Sequence, residues 1–347
     1  MKIQKTANSR LGKEDWKNAD FGSVFSDHMF IAQYKDNKWQ EGKIIPYGPI
    51  NINPSLHCIH YGQAIFEGMK AYKGPNNDAY LFRPEENAKR FNKSALRMCM
   101  PEIPEELFLN GVKELVKLDK DWVPTLKSSA LYIRPFMFAC SNFIKASPSN
   151  DYTFMIITCP VESYYKGEVH VKIELEYTRA SLGGTGAAKA AGNYAGSFHP
   201  TKKAQEEGFH QLIWTDGSNH EYIEESGTMN IFFRLNNELI TPSLSNSILP
   251  GITRNSIIKL SQHLGIKCRE EKIHLQTLVD EYKAGNITEA FGVGTAATVL
   301  PISSISYKNE KLLFEYNNDK FAIKLKKELQ DIQYGRSEDP FGWRHKF

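Results

Sequence analysis

The sequence predicts an α+β fold in two domains. Three observations support this: the length of 347 residues exceeds one average domain, helix-periodic and strand-like segments both occur, and no internal repeat is present. At 41% hydrophobic residues, the chain can bury a substantial core. We expect a first domain over residues 1–162, a linker over 163–174 and a second domain over 175–347.

Helices and strands alternate in the first domain. The stretch PEENAKRFNKSALRMCM begins with Pro84, which suits the first turn of a helix, and has apolar residues three and four positions apart. EELFLNGVKELVKL has the same spacing. SALYIRPFMFA and DYTFMIITCP are rich in β-branched and aromatic residues between polar boundaries, which predicts two neighbouring strands.

The second domain follows a linker assigned to VESYYKGE. The sequence then predicts a strand in HVKIELEY, a Gly/Ala loop, and a strand in HQLIWTD that turns at Asp216-Gly217. MNIFFRLNNELITP predicts a hairpin that turns at Asn236-Asn237. TRNSIIKLSQHLG predicts a helix that Gly265 ends, EAFGVGTAATVLP a glycine-rich strand and turn, and DKFAIKLKKELQDIQYG a last helix.

Composition favours an enzyme that acts on small molecules. The net charge is +3 without a long run of one sign, which argues against nucleic-acid and anionic-membrane partners. Five cysteines without CxxC spacing argue against a disulfide framework and a metal site, so we expect a reducing cytoplasm and no metal. The first 22 residues lack a signal-peptide core, and nowhere do 18 apolar residues run together, so we expect no membrane anchor.

The stretch GGTGAAKAAGNYAG places Lys189 alone among glycines and alanines. A lysine acts in covalent catalysis as a neutral amine, which a setting with little water and no counter-ion favours. An ordinary surface lysine on a flexible loop is the alternative. Neither phosphate-loop motif fits, because Ala188 and Ala190 flank the lysine where the Walker motif needs Gly and Ser or Thr, and the third glycine of GxGxxG falls on Lys189.

Three other segments offer groups that an aldehyde cofactor with a phosphate would need. LPGITRNS leads into a helix start, where the amides of Ile252 and Thr253 suit a phosphate. FGVGTAA adds further amides and the Thr295 hydroxyl. YIEESGTMNIFF places Glu225 at the entry to an apolar strand, where a carboxylate can face a ring nitrogen. Each segment alone also fits a purely structural role.

Six motifs, in this order, resemble the branched-chain amino acid aminotransferases, which are fold type IV pyridoxal-phosphate enzymes. They are FEGMKAY, ALYIRPFM, AGNYAG, EESGTMNIFF, ILPGITR and FGVGTAATV, and the resemblance extends from FGSVFSDHM to LKKELQDIQYG. It implies a small N-terminal α/β domain and a larger C-terminal α+β domain with pyridoxal 5'-phosphate between them. It also implies a homodimer in which Tyr61 reaches the partner's pocket.

The resemblance implies a role for each matching residue. Lys189 binds the cofactor covalently, Tyr194 contacts the ring hydroxyl and Glu225 contacts the ring nitrogen. The implied phosphate ligands are Arg90, Ile252, Thr253 and Thr295. The implied substrate-binding residues are Phe21, Tyr61, Phe66, Tyr132, Tyr164, Thr228 and Ala296, and Thr228 also lies near the cofactor. Arg134 is implied to bind the distal carboxylate of glutamate, and it shares a strand face with Tyr132 two residues earlier.

The implied reaction is the reversible transfer of an amino group from L-leucine, L-isoleucine or L-valine to 2-oxoglutarate. A D-amino acid aminotransferase and an aminodeoxychorismate-lyase-like enzyme are alternatives with the same fold, but FEGMKAY and the extended N-terminal segment favour the branched-chain group. A nucleotide-binding protein is opposed by the failed phosphate-loop motifs, and a non-catalytic scaffold by the intact set of Lys189, Glu225 and Arg90. Because Ala297 and Leu300 stand where some relatives carry a CxxC pair, thiol redox control is not expected.

Overall fold

A computed structural model describes residues 1–126, 128–162 and 167–347. Its α-helices are α1 (His57–Tyr61), α2 (Pro84–Arg97), α3 (Glu105–Leu118), α4 (Gly192–Ala195), α5 (Phe198–Glu206), α6 (Ile252–His263), α7 (Leu275–Lys283) and α8 (Phe321–Gln333). Its first nine strands are β1 (Lys2–Ile3), β2 (His28–Lys35), β3 (Lys38–Trp39), β4 (Lys43–Pro46), β5 (Ala64–Phe66), β6 (Met69–Lys73), β7 (Ala79–Phe82), β8 (Ala130–Ala139) and β9 (Tyr152–Val161). The next are β10 (His170–Ile173), β11 (Gln211–Thr215), β12 (Tyr222–Ser226), β13 (Met229–Leu235), β14 (Glu238–Pro242), β15 (Cys268–Glu271) and β16 (Ile273–His274). The last are β17 (Ile287–Gly294), β18 (Thr298–Pro301), β19 (Ser304–Tyr307), β20 (Glu310–Leu313) and β21 (Arg344–Lys346).

The chain forms two compact units. The first unit comprises Met1–Tyr164, Ala188–Gly192 and Ile332–Phe347, and the second comprises Tyr165–Ala187 and Asn193–Asp331. Two segments from the predicted second domain therefore belong to the first unit. Strand pairing explains both, because Ala190 forms a β-bridge with Ile65 and β21 pairs with β7. The limits at 1–162 and 175–347 otherwise stay predictions.

The first unit is built on a ten-stranded sheet in the order β1-β4-β2-β9-β8-β6-β7-β21, with β3 paired to β2 and β5 to β8. Its longest ladder joins β8 and β9 antiparallel from Ala130, opposite Val161, to Ala139, opposite Tyr152. This pairing confirms the two neighbouring strands that the sequence predicts. It also carries the ALYIRPFM motif through the middle of the sheet.

Aromatic side chains form the centre of the first unit's core. Phe30 of β2, Phe91 of α2, Phe108 of α3 and Phe154 of β9 are all fully buried, and the other three rings lie 5.4 to 5.9 Å from the Phe154 ring. The apolar spacing of the two predicted helices supplies Phe91 and Phe108. Both helices are confirmed, and α3 has the predicted bounds.

The second unit is built on an eleven-stranded sheet in the order β15-β14-β13-β12-β11-β10-β19-β20, with β16 paired to β12 and β17 to β13 and β18. The predicted hairpin is confirmed, since β13 and β14 turn at Asn236, which has a φ of 53°. The predicted turn at Asp216 is also confirmed. The Asp216 carboxylate accepts hydrogen bonds from the backbone amides of residues 218, 219, 221 and 222.

The strand predicted for HVKIELEY is shorter in the structure. It ends at Ile173, because the Glu174 carboxylate accepts hydrogen bonds from the amides of Glu176 at 2.8 Å and Tyr177 at 3.1 Å, which turns the chain. This strand, β10, pairs parallel with β11 and β19. Part of the predicted 163–174 linker is thus sheet, and residues 163–166 lie outside the described residues.

Within the described ranges, no helix is long and apolar enough to cross a membrane. Helices α2, α3, α6 and α7 each bury apolar residues in the core. For example, α7 buries Leu275, Leu278 and Val279 in the same apolar core as Ile273 of β16 and Ile287 of β17.

Candidate active site

Lys189 is fixed through its backbone in the first unit. Its amide donates a hydrogen bond to Ser94 Oγ at 2.9 Å, and its carbonyl accepts one from the Phe66 amide at 3.1 Å. The neighbouring Ala188 and Ala190 side chains are buried. The Lys189 Nζ lies 4.9 Å from the centre of the Phe66 ring. The main chain around the lysine is therefore held by an adjacent strand and helix, while its amine lies over an aromatic ring.

Glu67 is a fully buried carboxylate in the same unit. Its oxygens accept hydrogen bonds from Arg90 Nε at 2.7 Å, Arg90 Nη2 at 2.9 Å and Asn87 Nδ2 at 2.7 Å. Burial raises the pKa of Glu67, but Arg90, Lys189 and Asn87 together hold that pKa below its ordinary value. Arg90 and Asn87 thus hold Glu67 directly, and the nearby charge of Lys189 contributes to lowering its pKa.

Arg90 thus uses two of its donors to hold Glu67, 23 residues earlier in the chain. The family resemblance implies that Arg90 binds the phosphate, and it implies no role for Glu67. A role toward the phosphate stays a prediction for Arg90. The structure adds that a buried bidentate ion pair orients the guanidinium.

Replacing Glu67 with glutamine is expected to lower the free energy of unfolding by about 3–5 kcal/mol, because the charge of Arg90 then stays buried without its carboxylate. Glu86→Gln is the matched control on α2, where the carboxylate pairs with Lys89 on an exposed surface and contributes little. The comparison is a urea denaturation of both variants at pH 7.

The effect of Glu67→Gln is expected to depend on pH. Because the pKa of Glu67 is lowered in the fold, its stabilisation is present above the ordinary value of 4.5 and is lost as the pH falls through the lower folded value. The variant and the wild type should therefore converge in acid. Equal denaturation midpoints for Glu67→Gln and Glu86→Gln at pH 7 would contradict this account of Glu67.

Four of the predicted substrate residues form an aromatic and cationic cluster in the first unit. Arg134 Nη2 donates a hydrogen bond to the Tyr132 hydroxyl at 3.1 Å, which confirms that these two side chains share a face of β8. The Arg134 guanidinium carbon lies 4.5 Å from the centre of the Phe66 ring. The Phe21 ring meets the Tyr132 ring edge-on at 5.2 Å. The structure thus brings four of the predicted substrate residues together.

Gly68, in the FEGMKAY motif, makes room for this cluster. A Cβ atom at Gly68 would lie 2.2 Å from the Tyr132 hydroxyl, so any larger residue would displace the tyrosine. Tyr61 lies at the surface, at the end of α1. It is 42% exposed, and its ring lies 4.8 Å from the ring of His57. Tyr164 lies outside the described residues.

In the second unit, Glu225 is a buried carboxylate at 3% exposure, on β12. Its Oε1 accepts hydrogen bonds from Asn230 Nδ2 at 3.1 Å and from the Leu249 amide at 2.8 Å. Its Oε2 lies 2.8 Å from Arg179 Nε. The carboxylate is therefore buried and held from three directions, rather than solvated at the end of its strand.

The helix start predicted at Ile252 lies close to the partners of Glu225. Helix α6 begins at Ile252, with Gly251 as its N-cap residue. A Cβ atom at Gly251 would lie 2.0 Å from Asn230 Oδ1, so only glycine allows this close approach. Asn230 also donates to the Leu249 carbonyl at 2.9 Å. The positive end of α6, which includes the buried Thr253, is therefore anchored to the Asn230 that holds Glu225.

The remaining predicted residues of the second unit lie in two adjacent turns. Gly227 and Thr228 connect β12 to β13, and Gly227 has a φ of 58°. Residues 295–297 connect β17 to β18 and include Thr295 and Ala296. The pairing of Asn230 with Val293 places both turns at the same end of the sheet. The two turns are thus brought together with Glu225.

Tyr194 lies in the short helix α4 and is half-buried. Asn193 next to it exchanges two hydrogen bonds with Thr185, one from the Thr185 hydroxyl and one to the Thr185 carbonyl at 2.8 Å. The AGNY motif is thereby tied to the Gly/Ala loop that precedes Lys189.

Each unit thus carries part of the predicted chemistry. The first unit offers an amine beside an aromatic and cationic cluster, and the second offers a fixed carboxylate, a helix start and two hydroxyl-bearing turns. Sequence reasoning missed Glu67, Asn230 and Arg179. Two of the three lie inside recognised motifs, Glu67 in FEGMKAY and Asn230 in EESGTMNIFF, but only their partners in the fold reveal what they hold.

Comparisons with known proteins show the family of this chain. Residues 64–305 match the family described as Amino-transferase class IV. The chain is 45% identical over 343 residues to branched-chain-amino-acid aminotransferase 2 of Bacillus subtilis (strain 168), covering 97% of this chain and 94% of that protein. The branched-chain amino acid aminotransferase structure from Escherichia coli is 25% identical, with a TM-score of 0.73 over 91% of this chain and 98% of that one.

A second solved structure supports the fold at lower identity. The branched-chain amino acid aminotransferase from Thermobaculum terrenum, in its PLP form, is 22% identical, with a TM-score of 0.73 over 91% of this chain and 97% of that one. These matches confirm the α+β fold of fold type IV enzymes and the resemblance drawn from the six motifs. The chain belongs to the class IV aminotransferase family.

Proposed function

We propose that this protein transfers the amino group of L-leucine, L-isoleucine or L-valine to 2-oxoglutarate, with pyridoxal 5'-phosphate as the cofactor. The products are the corresponding 2-oxo acid and L-glutamate. Similarity over nearly the full length to proteins named branched-chain-amino-acid aminotransferases supports this substrate class.

One observation in the structure carries the proposal: the Lys189 amine and the Arg134 guanidinium both lie within 5 Å of the Phe66 ring centre, at 4.9 and 4.5 Å. An amino acid bound near Lys189 would therefore have an apolar ring and a fixed cation beside it. The ring suits an aliphatic side chain, and the cation suits the distal carboxylate of glutamate. A transaminase for these two substrates needs both.

The residues present fit pyridoxal phosphate. When bound, the cofactor supplies an aldehyde that combines with amino groups and a ring that accepts the electron pair released from the Cα–H bond. We infer that the buried Glu225 carboxylate keeps the ring nitrogen protonated and that Tyr194 holds the ring hydroxyl. Four residues are proposed to bind the phosphate: Arg90, Ile252, Thr253 and Thr295.

Lys189 is proposed to move the proton. With the cofactor bound, Lys189 as a neutral amine would take the proton from the Cα of the amino acid and return it to the cofactor, and hydrolysis would then release the 2-oxo acid while the amino group stays on the cofactor. 2-Oxoglutarate reverses these steps and leaves as L-glutamate. We further propose that Arg134 binds the distal carboxylate of this second substrate, and that Thr228 and Ala296 contact the substrate.

A homodimer and a cytoplasmic location are also proposals. Exposed apolar side chains at α1 support the homodimer, since Ile59 and Tyr61 are 58% and 42% exposed. Tyr61 would then contribute to the pocket of the partner. Sedimentation velocity of the active protein tests the assembly, and an active monomer would contradict it.

The function is tested by comparing amino donors for the wild type and for Arg134→Gln. The wild type is expected to use the three branched-chain L-amino acids with 2-oxoglutarate and to leave D-alanine unchanged. Arg134→Gln is expected to lose about 10- to 100-fold in kcat/KM for L-glutamate, because a charge-assisted hydrogen bond is removed, and much less for L-leucine.

Arg97→Gln on the exposed end of α2 is the matched control for this experiment. Equal losses for L-leucine and L-glutamate in Arg134→Gln would contradict the carboxylate-binding role. Turnover of D-alanine by the wild type would instead favour the D-amino acid aminotransferase alternative.

A further inference from the structure

Arg179 is a largely buried cation of the second unit. Its side chain is 8% exposed, and its Nε lies 2.8 Å from Glu225 Oε2. Its Nη2 donates hydrogen bonds to the Gly186 carbonyl at 3.0 Å and to the Ser247 carbonyl. One guanidinium therefore contacts a carboxylate and two separate loops.

Both loops are connected to predicted active-site residues. Gly186 is three residues before Lys189 in the chain, and a Cβ at Gly186 would lie 2.3 Å from the Ser247 carbonyl oxygen, so the two loops approach as closely as glycine permits. The Ala187 amide donates to the Asn246 carbonyl at 2.9 Å, which adds a second link between the loops. The second loop continues to Leu249, whose amide donates to Glu225.

A second carboxyl group shares the surroundings of Arg179. Glu224 is buried and accepts a hydrogen bond from the Ser247 hydroxyl. Burial raises the pKa of Glu224 above its ordinary value, although Ser247 and Arg179 act in the opposite direction. Two adjacent buried carboxyl groups, those of Glu224 and Glu225, therefore interact with one cation.

We propose that Arg179 is a positioning residue, which keeps the Glu225 carboxylate charged and in one orientation toward the ring nitrogen of the cofactor. This inference rests on the proposed function of Glu225. Arg179 does not itself take part in bond making or breaking. It acts through Glu225 and through the loops that it joins.

The test compares full-length Arg179→Gln, Arg179→Lys and the wild type by titration with pyridoxal phosphate and by the pH dependence of kcat for L-leucine. Arg179→Gln is expected to bind pyridoxal phosphate at least about tenfold more weakly, because the Gly186 and Ser247 loops lose the guanidinium that joins them. Its kcat is expected to fall toward acid pH at a higher midpoint than the wild type, because removing a cation raises the pKa of a buried carboxyl group.

Arg179→Lys keeps the charge but provides one point of contact. It is expected to restore the acid limb of the pH profile while still binding the cofactor more weakly than the wild type. Arg269→Gln on β15 is the matched control, because this arginine pairs with Glu238 and Glu271 at 36% exposure. It is expected to leave both measurements unchanged.

A purely structural role for Arg179 predicts different results. In that case Arg179→Gln would be less stable to heat, but its cofactor affinity and pH profile would match the wild type, and the proposal would be wrong. If Arg179→Gln does not fold, Arg179→Lys decides, since wild-type cofactor affinity in that variant would equally overturn the proposal. A wild type that neither binds pyridoxal phosphate nor turns over L-leucine would instead contradict the proposed function.

Discussion

Replacing Lys189 with alanine is expected to reduce multiple-turnover transamination by at least about 10⁴-fold, because the same side chain is proposed to bind the cofactor covalently and to move the Cα proton. The fold should survive the change. The backbone of Lys189 keeps its hydrogen bonds to Ser94 and Phe66, and Ala190 keeps its bridge to Ile65. The measurement is 2-oxo acid formation from L-leucine and 2-oxoglutarate.

Lys202→Ala provides the control for this substitution, since Lys202 lies exposed on α5. It is expected to retain full turnover. Lys189→Ala that turns over at a rate comparable to this control would remove Lys189 from the mechanism, and with it the assignment of the Gly/Ala loop.

Replacing Glu225 with glutamine is expected to lower kcat by about 10²-fold or more while the cofactor still binds, because a neutral amide does not stabilise a protonated ring nitrogen. Glutamine has nearly the same shape as glutamate and can still accept a hydrogen bond from the Leu249 amide, so cofactor binding through the other ligands is expected to persist. The measurement is kcat for L-leucine at saturating pyridoxal phosphate.

Glu221→Gln supplies the comparison for Glu225→Gln. Glu221 is exposed and directly precedes β12, so the same change of charge occurs close by in sequence without the buried contacts. Unchanged turnover of Glu225→Gln with a saturated cofactor site would mean that Glu225 does not control the charge of the ring nitrogen.

Local patterns in the sequence were sufficient to predict those elements whose structure is determined by neighbouring residues. The apolar spacing in α2 and α3 fixes which face is buried, and Asn236 tolerates the positive φ of its hairpin turn. The resemblance added the family, the fold and the reaction, because six motifs in order are far more specific than any one of them. Relatives that match nearly the whole chain confirm the family, and solved structures confirm the fold.

The contacts between distant residues could not be read from the sequence. Glu67 meets Arg90 because a strand end and a helix face come together in the fold, and nothing in the spacing of 23 residues indicates that pairing. Arg179 was missed for the same reason, since it lies in the loop after β10 whereas Glu225 lies on β12. The end of β10 at Ile173 depends on the Glu174 side chain, which competes with the ladder for backbone amides.

The most direct test of the central claim is the visible absorption of the full-length protein saturated with pyridoxal phosphate. The proposed function predicts a yellow band that L-leucine bleaches and that 2-oxoglutarate then restores. A yellow protein that is indifferent to L-leucine but bleached by D-alanine would contradict the branched-chain assignment. A protein that is colourless after incubation with pyridoxal phosphate and removal of the unbound cofactor would contradict the role of Lys189 as well.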